Sequence, residues 1–275
     1  MQGISILVYS KDRAFQLDGC LQSFFCFSVN GDFEIFVLYK ATSEKSQSQY
    51  EVLKGRYPSV NFVEEKLNLL LTQTLELSKL NKLTMFLVDD TLFYSEFDLE
   101  LATSQLLAIQ VALGFSLRLG LNTDYCYMSN CEVKVPTMEH VFANVHMYDW
   151  TKESHDFGYP FEVSSSIYLS SVVESALGGI ASQNLCPSLI ESRFNSQKRK
   201  FSSSQPKLLC FDKSVAFSAP VNLTKAKGSN PHGKRYPVSI ATLSNLFDEG
   251  KRIDVGQNAN LKVIGAHQEV EYKYL

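Results

Sequence analysis

Met85-Phe86-Leu87-Val88-Asp89-Asp90-Thr91 is an apolar run that stops at two adjacent carboxylates. The run has the length and composition of a buried strand. Leaving two carboxylates unpaired beside a buried strand costs several kcal/mol each, roughly 2–7 on transfer scales for polar groups and more for charges. Buried carboxylates therefore have a cation or another partner. In α/β proteins ligands sit outside the carboxyl ends of the strands. The pair thus points to a metal or phosphate–metal site, and the alternative is a solvated Asp-Asp turn.

Upstream, the same kind of strand recurs. Ile4-Ser5-Ile6-Leu7-Val8-Tyr9 is nearly continuous in apolar character, as strands covered on both faces require, and Ser10-Lys11-Asp12-Arg13 follows as a loop. Leu17, Cys20, Leu21 and Phe24 then fall at helical spacing. Asn30-Gly31-Asp32 is a turn, Phe33–Tyr39 a second strand, and Tyr50, Leu53 and Tyr57 mark a second helix. Val60–Val63 is a short third strand, Leu67, Leu70, Leu71, Thr74 and Leu75 make the next helical face, and Thr84–Val88 is the fourth strand. Strands alternating with helices, joined by right-handed crossovers, make a doubly wound parallel sheet. Beyond the Asp pair the pattern predicts a helix over 97–113, a strand over 115–120, short strands and loops from about 122, a helix over 166–177 and a Ser/Lys/Gln-rich loop over 195–206.

The chain has 275 residues, 45% of them hydrophobic, enough for one large α/β domain or a domain with a sizeable appendage. A net charge of -3 gives no nucleic-acid footprint. The basic run Lys198-Arg199-Lys200 lies in the Ser-rich segment and reads as a mobile loop. The six cysteines show no CxxC spacing and read as reduced, mostly buried thiols. No uninterrupted apolar stretch reaches transmembrane length. No signal peptide is evident, so the expected location is the cytoplasm or its membrane face. Phosphatases that phosphorylate a strand-end aspartate want Asp-x-Asp-x-Thr, which Asp89-Asp90-Thr91 does not match, and neither a Walker A motif nor a Gly-rich nucleotidyltransferase signature is present.

With these strands and the continuation Asp89-Asp90-Thr91-Leu92-Phe93, with Asp98 downstream, the chain resembles the nucleotide-diphosphosugar glycosyltransferases of the GT-A fold, in the bacterial family 2-like form. The resemblance is strongest over 4–100. Asp156-Phe157-Gly158-Tyr159-Pro160 with Ser166-Ile167-Tyr168, and Pro220-Val221-Asn222-Leu223 with Asn230, are similar to later segments of some members. The resemblance implies a GT-A-like, Rossmann-like α/β fold: a mostly parallel sheet flanked by helices, with an irregular mixed α+β C-terminal half. It implies one domain over 1–275, in which 1–121 binds the nucleotide sugar and 122–275 binds the acceptor. The implied function is metal-dependent transfer of a sugar from a nucleotide-diphosphosugar to a glycan, lipid-linked or other hydroxyl acceptor, of the kind used in polysaccharide biosynthesis. The alternative is an inactive GT-A-like domain that binds a nucleotide sugar or glycan.

Residue roles follow from the same resemblance. Mn²⁺ or Mg²⁺ held by carboxylates offsets charge on the leaving pyrophosphate. Asp90 is the best placed metal ligand, Asp89 faces the ribose or donor sugar or shares the metal, and His232 is a C-terminal histidine that could return to it. Ser10, Lys11 and Arg13 belong to the nucleotide-sugar loop, with Lys11 or Arg13 near the pyrophosphate. Members of the family carry an acid after the second strand; this chain has Tyr39-Lys40-Ala41-Thr42, so Thr42 is the residue left to read the base or ribose. Inverting transfer needs a carboxylate base, and Asp156 and Glu162 flank the Gly158-Tyr159-Pro160 turn. The run Val163-Ser164-Ser165-Ser166 stands where related sequences place an acid; if that position is Ser164, another residue serves as base or the activity is weakened. Trp150 and Tyr159 are candidates to stack on an acceptor sugar. His140, His146 and His155 lack zinc-ligand spacing.

Overall fold

A computed structural model describes residues 3–180, 185–224 and 231–275. Its centre is a nine-stranded sheet. The strands are β1 (Ile4–Lys11), β2 (Phe33–Lys40), β3 (Val60–Glu64), β4 (Leu83–Val88), β5 (Ala112–Ser116), β6 (Glu139–Phe142), β7 (Val145–Asp149), β8 (Ser165–Leu169) and β9 (Lys207–Phe211). They lie in the order β6-β7-β9-β5-β8-β4-β1-β2-β3. β1, β2, β3 and β4 pair in parallel, as do β5 and β9. The antiparallel partners β8 and β7 each restore the direction on their far side. All strands but these two therefore run one way, and the sheet is mostly parallel.

Helices cover both faces: α1 (Ala14–Phe27), α2 (Glu44–Arg56), α3 (Leu70–Ser78), α4 (Leu99–Ala108), α5 (Ser170–Leu177), α6 (Pro187–Ser196) and α7 (Ile240–Asp248). Alternation along the strands divides the core. Ile4, Ile6 and Val8 pack with Leu17, Phe24, Tyr50 and Leu243 on one face. Leu7, Tyr9, Phe36 and Phe86 pack with Leu70, Leu71, Val173 and Phe194 on the other. Two caps start helices as their sequences dictate. Ser43 accepts the Ser46 amide at 3.1 Å at the start of α2, and Asp98 accepts the Leu101 amide at 2.8 Å at the start of α4.

The sequence expectations fail at four places, the first being Leu67, which was expected on a helical face but precedes α3 and is exposed. The helix expected over 97–113 stops at Ala108, and the strand expected over 115–120 is Ala112–Ser116. The β-branched Ile109 and Val111 end the helix, and Ala112 turns back onto the Ile109 carbonyl at 2.9 Å. Gly114 belongs in this strand because a Cβ there would sit 2.7 Å from the Tyr168 ring. The helix expected over 166–177 is a strand, Ser165–Leu169, followed by α5. Ser166-Ile167-Tyr168 is buried between β4 and β5, and tertiary pairing overrides a short apolar run whose period is ambiguous. Lys198–Lys200 forms a 3₁₀ turn rather than a loose loop, with Lys198 Nζ on the Gly158 carbonyl at 3.0 Å.

Strand order reverses beside β1. The chain leaves β1 for β2 on one side and later places β4 on the other. The ends of β1 and β4 therefore flank the switch point at which open α/β sheets bind ligands.

Candidate active site

The end of β1 and the end of β4 meet through one arginine. Arg13, the residue before α1, sends Nη1 to Asp89 Oδ1 at 2.9 Å and to Asp90 Oδ2 at 3.1 Å. Its Nη2 donates to the Asn222 carbonyl. Asp89 Oδ2 also accepts Ser10 Oγ at 3.1 Å and the Lys11 amide at 3.2 Å. Ser10 Oγ is in turn 2.7 Å from Tyr50 Oη. Arg13 is 7% and Asp89 5% exposed, so this is a buried ion pair in which the carboxylates have the partner their burial demanded.

Burial disfavours the charge on Arg13, but Asp89 and Asp90 more than offset it, and its affinity for the proton rises. Burial pushes Asp90 up to about 6, against the pull of Arg13. The Asp90 side chain is the more open of the two, 15% exposed against 6% for Asp89. A divalent ion that takes one protein carboxylate and completes its shell with substrate phosphates suits a site of this kind. Asp90 fits that role. Asp89 is spent on Arg13, Ser10 and Lys11.

His232 lies in the segment after Asn222. It lines a cavity with Val221, Asn222, Leu223, Pro237 and Val238. Among the described residues no three His, Cys, Asp or Glu side chains converge on a point that could hold a metal. Thr42 is exposed but already paired: its amide and Oγ1 donate to the Asp12 carboxylate at 2.7 and 2.8 Å. Asp12 occupies the left-handed region at φ 54. This pair closes the β1 and β2 ends together. Asn230 lies outside the described residues.

The acceptor-side candidates gather around a residue not singled out from the sequence, Arg118. Glu162, 2% exposed, accepts the Ser164 amide at 2.5 Å, Ser164 Oγ, and the Ser165 amide at 3.1 Å. Arg118 Nη1 donates to Ser164 Oγ at 3.1 Å, and its Nε stands 3.8 Å from Glu162. Ser164 therefore bridges Arg118 and Glu162. Glu191, on α6, accepts the Val163 amide at 3.1 Å and Tyr159 Oη at 3.3 Å. Burial pushes Glu191 up to about 7, with Arg118 opposing and Glu162 reinforcing the rise. Asp156 acts electrostatically on Arg118, His267 and the Cys126 thiol. Burial and Arg118 push His267 down to about 4, so its imidazole is neutral at pH 7.

Thr91 Oγ1 donates to the Ser164 carbonyl at 2.7 Å, which joins the two clusters across β4 and β8. Trp150 is buried and donates Nε1 to the Gln205 carbonyl at 2.9 Å, a core role rather than a sugar platform. Tyr159 is turned toward Glu191. Arg118 carried a signal that was legible in the sequence: a charge inside the apolar run Phe115-Ser116-Leu117-Arg118-Leu119 requires a buried partner. Glu191 and His267 carried none.

No family model matches the chain. Over 201 residues it is 35% identical to the bifunctional glycosyltransferase pgtA of Dictyostelium discoideum, a match that takes in 65% of this chain and 25% of that protein. The chain thus spans about a quarter of the length of this relative. Among solved structures it is similar to TarS of S. aureus, at TM-score 0.49 and 12% identity over 79% of this chain and 36% of that one. It is also similar to the mannosyltransferase PcManGT of Pyrobaculum calidifontis, solved with GDP-Man and Mn²⁺, at TM-score 0.46 and 12% identity over 77% of this chain and 55% of that one. The chain is thus similar in sequence to a curated glycosyltransferase, and its centre is a mostly parallel α/β sheet flanked by helices.

Proposed function

We propose that the protein transfers a sugar from a nucleotide-diphosphosugar to a hydroxyl acceptor, a glycan or lipid-linked sugar, with a divalent metal. The observation that carries this reading is the Asp89–Arg13–Asp90 centre at the β1/β4 switch point, in a chain related to a glycosyltransferase. Ser10, Lys11 and Thr42 stand at the strand ends where the nucleoside would lie. Mn²⁺ or Mg²⁺, when bound at Asp90, supplies charge for the diphosphate leaving group. Arg13 supplies a second, fixed positive charge beside it. Asp89 holds Arg13 in place through its own bonds to Ser10 and Lys11.

In transfer, the acceptor oxygen bonds to the anomeric carbon as the bond from that carbon to the diphosphate breaks. The acceptor proton passes to a carboxylate when configuration inverts. Asp156 and Glu162 are the two candidates. The Glu162 carboxylate is already taken up by bonds from Ser164 and Ser165. Asp156 is the less encumbered of the two. The test is to incubate the protein with Mn²⁺ and a panel of nucleotide sugars, with and without hydroxyl acceptors, and to measure released nucleoside diphosphate and glycosylated product. The reading predicts turnover with at least one donor, reduced about 10²–10⁴-fold in Asp156→Asn or Glu162→Gln. Donor binding without any turnover would favour an inactive sugar-nucleotide-binding domain.

A further inference from the structure

We propose that Cys126 and Cys131 are a reversible dithiol–disulfide pair, with Cys131 as the entry thiol and a low-molecular-weight disulfide as the oxidant. The two residues are direct register partners in the antiparallel hairpin Tyr125–Cys126/Cys131–Glu132. Among the described residues they are the one pair of cysteines that are register partners, and both are free thiols. The Val133 amide donates to the Asp124 carbonyl at 2.7 Å. Hydrogen-bonded pairs alternate along an antiparallel ladder, so Cys126 and Cys131, two residues along, are also a hydrogen-bonded pair. Their Cα atoms then lie about 5.5 Å apart, inside the roughly 4.4–6.8 Å that disulfides span. Directly opposed side chains share a face of the ribbon. Bond formation needs no change of register.

The hairpin is held from outside. Tyr125 donates its amide to the Ile264 carbonyl at 3.0 Å, and Tyr125 Oη donates to Asn130 Oδ1 at 2.9 Å. Gly265 exists here because a Cβ would come within 2.4 Å of the Tyr125 carbonyl. The two thiols differ in access: Cys126 is buried and Cys131 is partly exposed. That difference sets the order of events. The Cys131 thiolate attacks one sulfur of the small disulfide, whose S–S bond breaks and releases one thiolate. The Cys126 thiol then gives its proton to solvent and attacks Cys131 Sγ, and the second small thiolate leaves. Two protein thiols are oxidised and one disulfide is reduced to two thiols. Burial and Asp156 both hold the Cys126 thiol protonated, which makes the second step the slow one.

The experiment incubates the native protein with oxidised glutathione, quenches it in acid, unfolds it, alkylates it with iodoacetamide and maps cysteine peptides by mass spectrometry. The peptide holding both residues should lose both alkylations and two hydrogens, and recover them after dithiothreitol. In Cys126→Ser, Cys131 should stop as the glutathione adduct; in Cys131→Ser, Cys126 should remain fully alkylated. A wild type whose Cys131 also stops at the adduct, or whose two thiols remain alkylated, overturns the proposal. Neither readout depends on the transfer activity.

Discussion

Among the described residues, Arg13 is the positive charge that the two strand-end carboxylates share. The carboxylate pair was legible in the sequence as an apolar run ending in two acids. Its partner was legible only as one of two loop cations, since nothing in Ser10-Lys11-Asp12-Arg13 says which side chain turns inward. Thr42 shows the opposite case. It stands at the expected strand end, but Asp12, thirty positions away in the chain, claims both its donors. Glu191 gives a test at this level. Its unfolded carboxyl loses a proton near 4.5, and the folded one near 7. Between those values the folded state holds more protons than the unfolded one, so this group lowers stability as pH rises from about 4.5 to 7. Glu191→Gln should therefore shrink the fall in urea midpoint between pH 5 and pH 8. A variant that keeps the full wild-type fall would show that Glu191 does not titrate in this window.

Helix α1 illustrates how an element is fixed by parts of the chain that share no pattern with it. Leu17, Cys20, Leu21 and Phe24 gave its buried face from spacing alone, and all four are buried. Its remaining anchor was not legible. Asp18, 1% exposed, faces Arg252 with bonds of 2.8 and 3.1 Å, Arg56 at 3.0 Å and Tyr57 Oη at 2.7 Å. Arg252 is tied in turn to Leu275 by main-chain bonds, and Ile253 bridges to Tyr274. Removing one partner of a buried ion pair leaves the others uncompensated and costs about 3–5 kcal/mol. Asp18→Ala should lose stability on that scale in urea titration, with faster amide exchange at 252–254 and 273–275 than in the core strands. A loss under about 1 kcal/mol, the range of exposed pairs, would mean that the cluster is solvated rather than structural. β8 failed to be read from sequence for a related reason: Ser166-Ile167-Tyr168 is a strand only because β4 and β5 stand on either side of it.

Across the molecule, the first four strands and the helices between them were legible because each is a continuous apolar run or a helical stripe, and local period suffices for such segments. The second half contributes by closing on that frame. β8 inserts beside β4, Asn222 offers its carbonyl to Arg13, and Tyr272 packs against Phe15 with Asp90 and Arg13 in its electrostatic field. None of these has a periodic signature, which is why the strand-end carboxylates at Asp89 and Asp90 could be picked out from the sequence and the cluster around Arg118 could only be sketched. Among the described residues no helix is long and apolar enough to cross a membrane. The central claim is that the β1/β4 crevice, through Asp90 and Arg13, binds the diphosphate of a nucleotide together with a divalent ion. Calorimetric titration of UDP and GDP into wild type and Asp90→Asn, each with and without Mn²⁺, tests it directly. The account predicts Mn²⁺-dependent binding of at least one of the two by wild type, weakened roughly 10–100-fold by Asp90→Asn, the loss of a charged-group contact worth about 1.5–3 kcal/mol. Equal affinity in the two proteins, or wild-type binding indifferent to Mn²⁺, would contradict it.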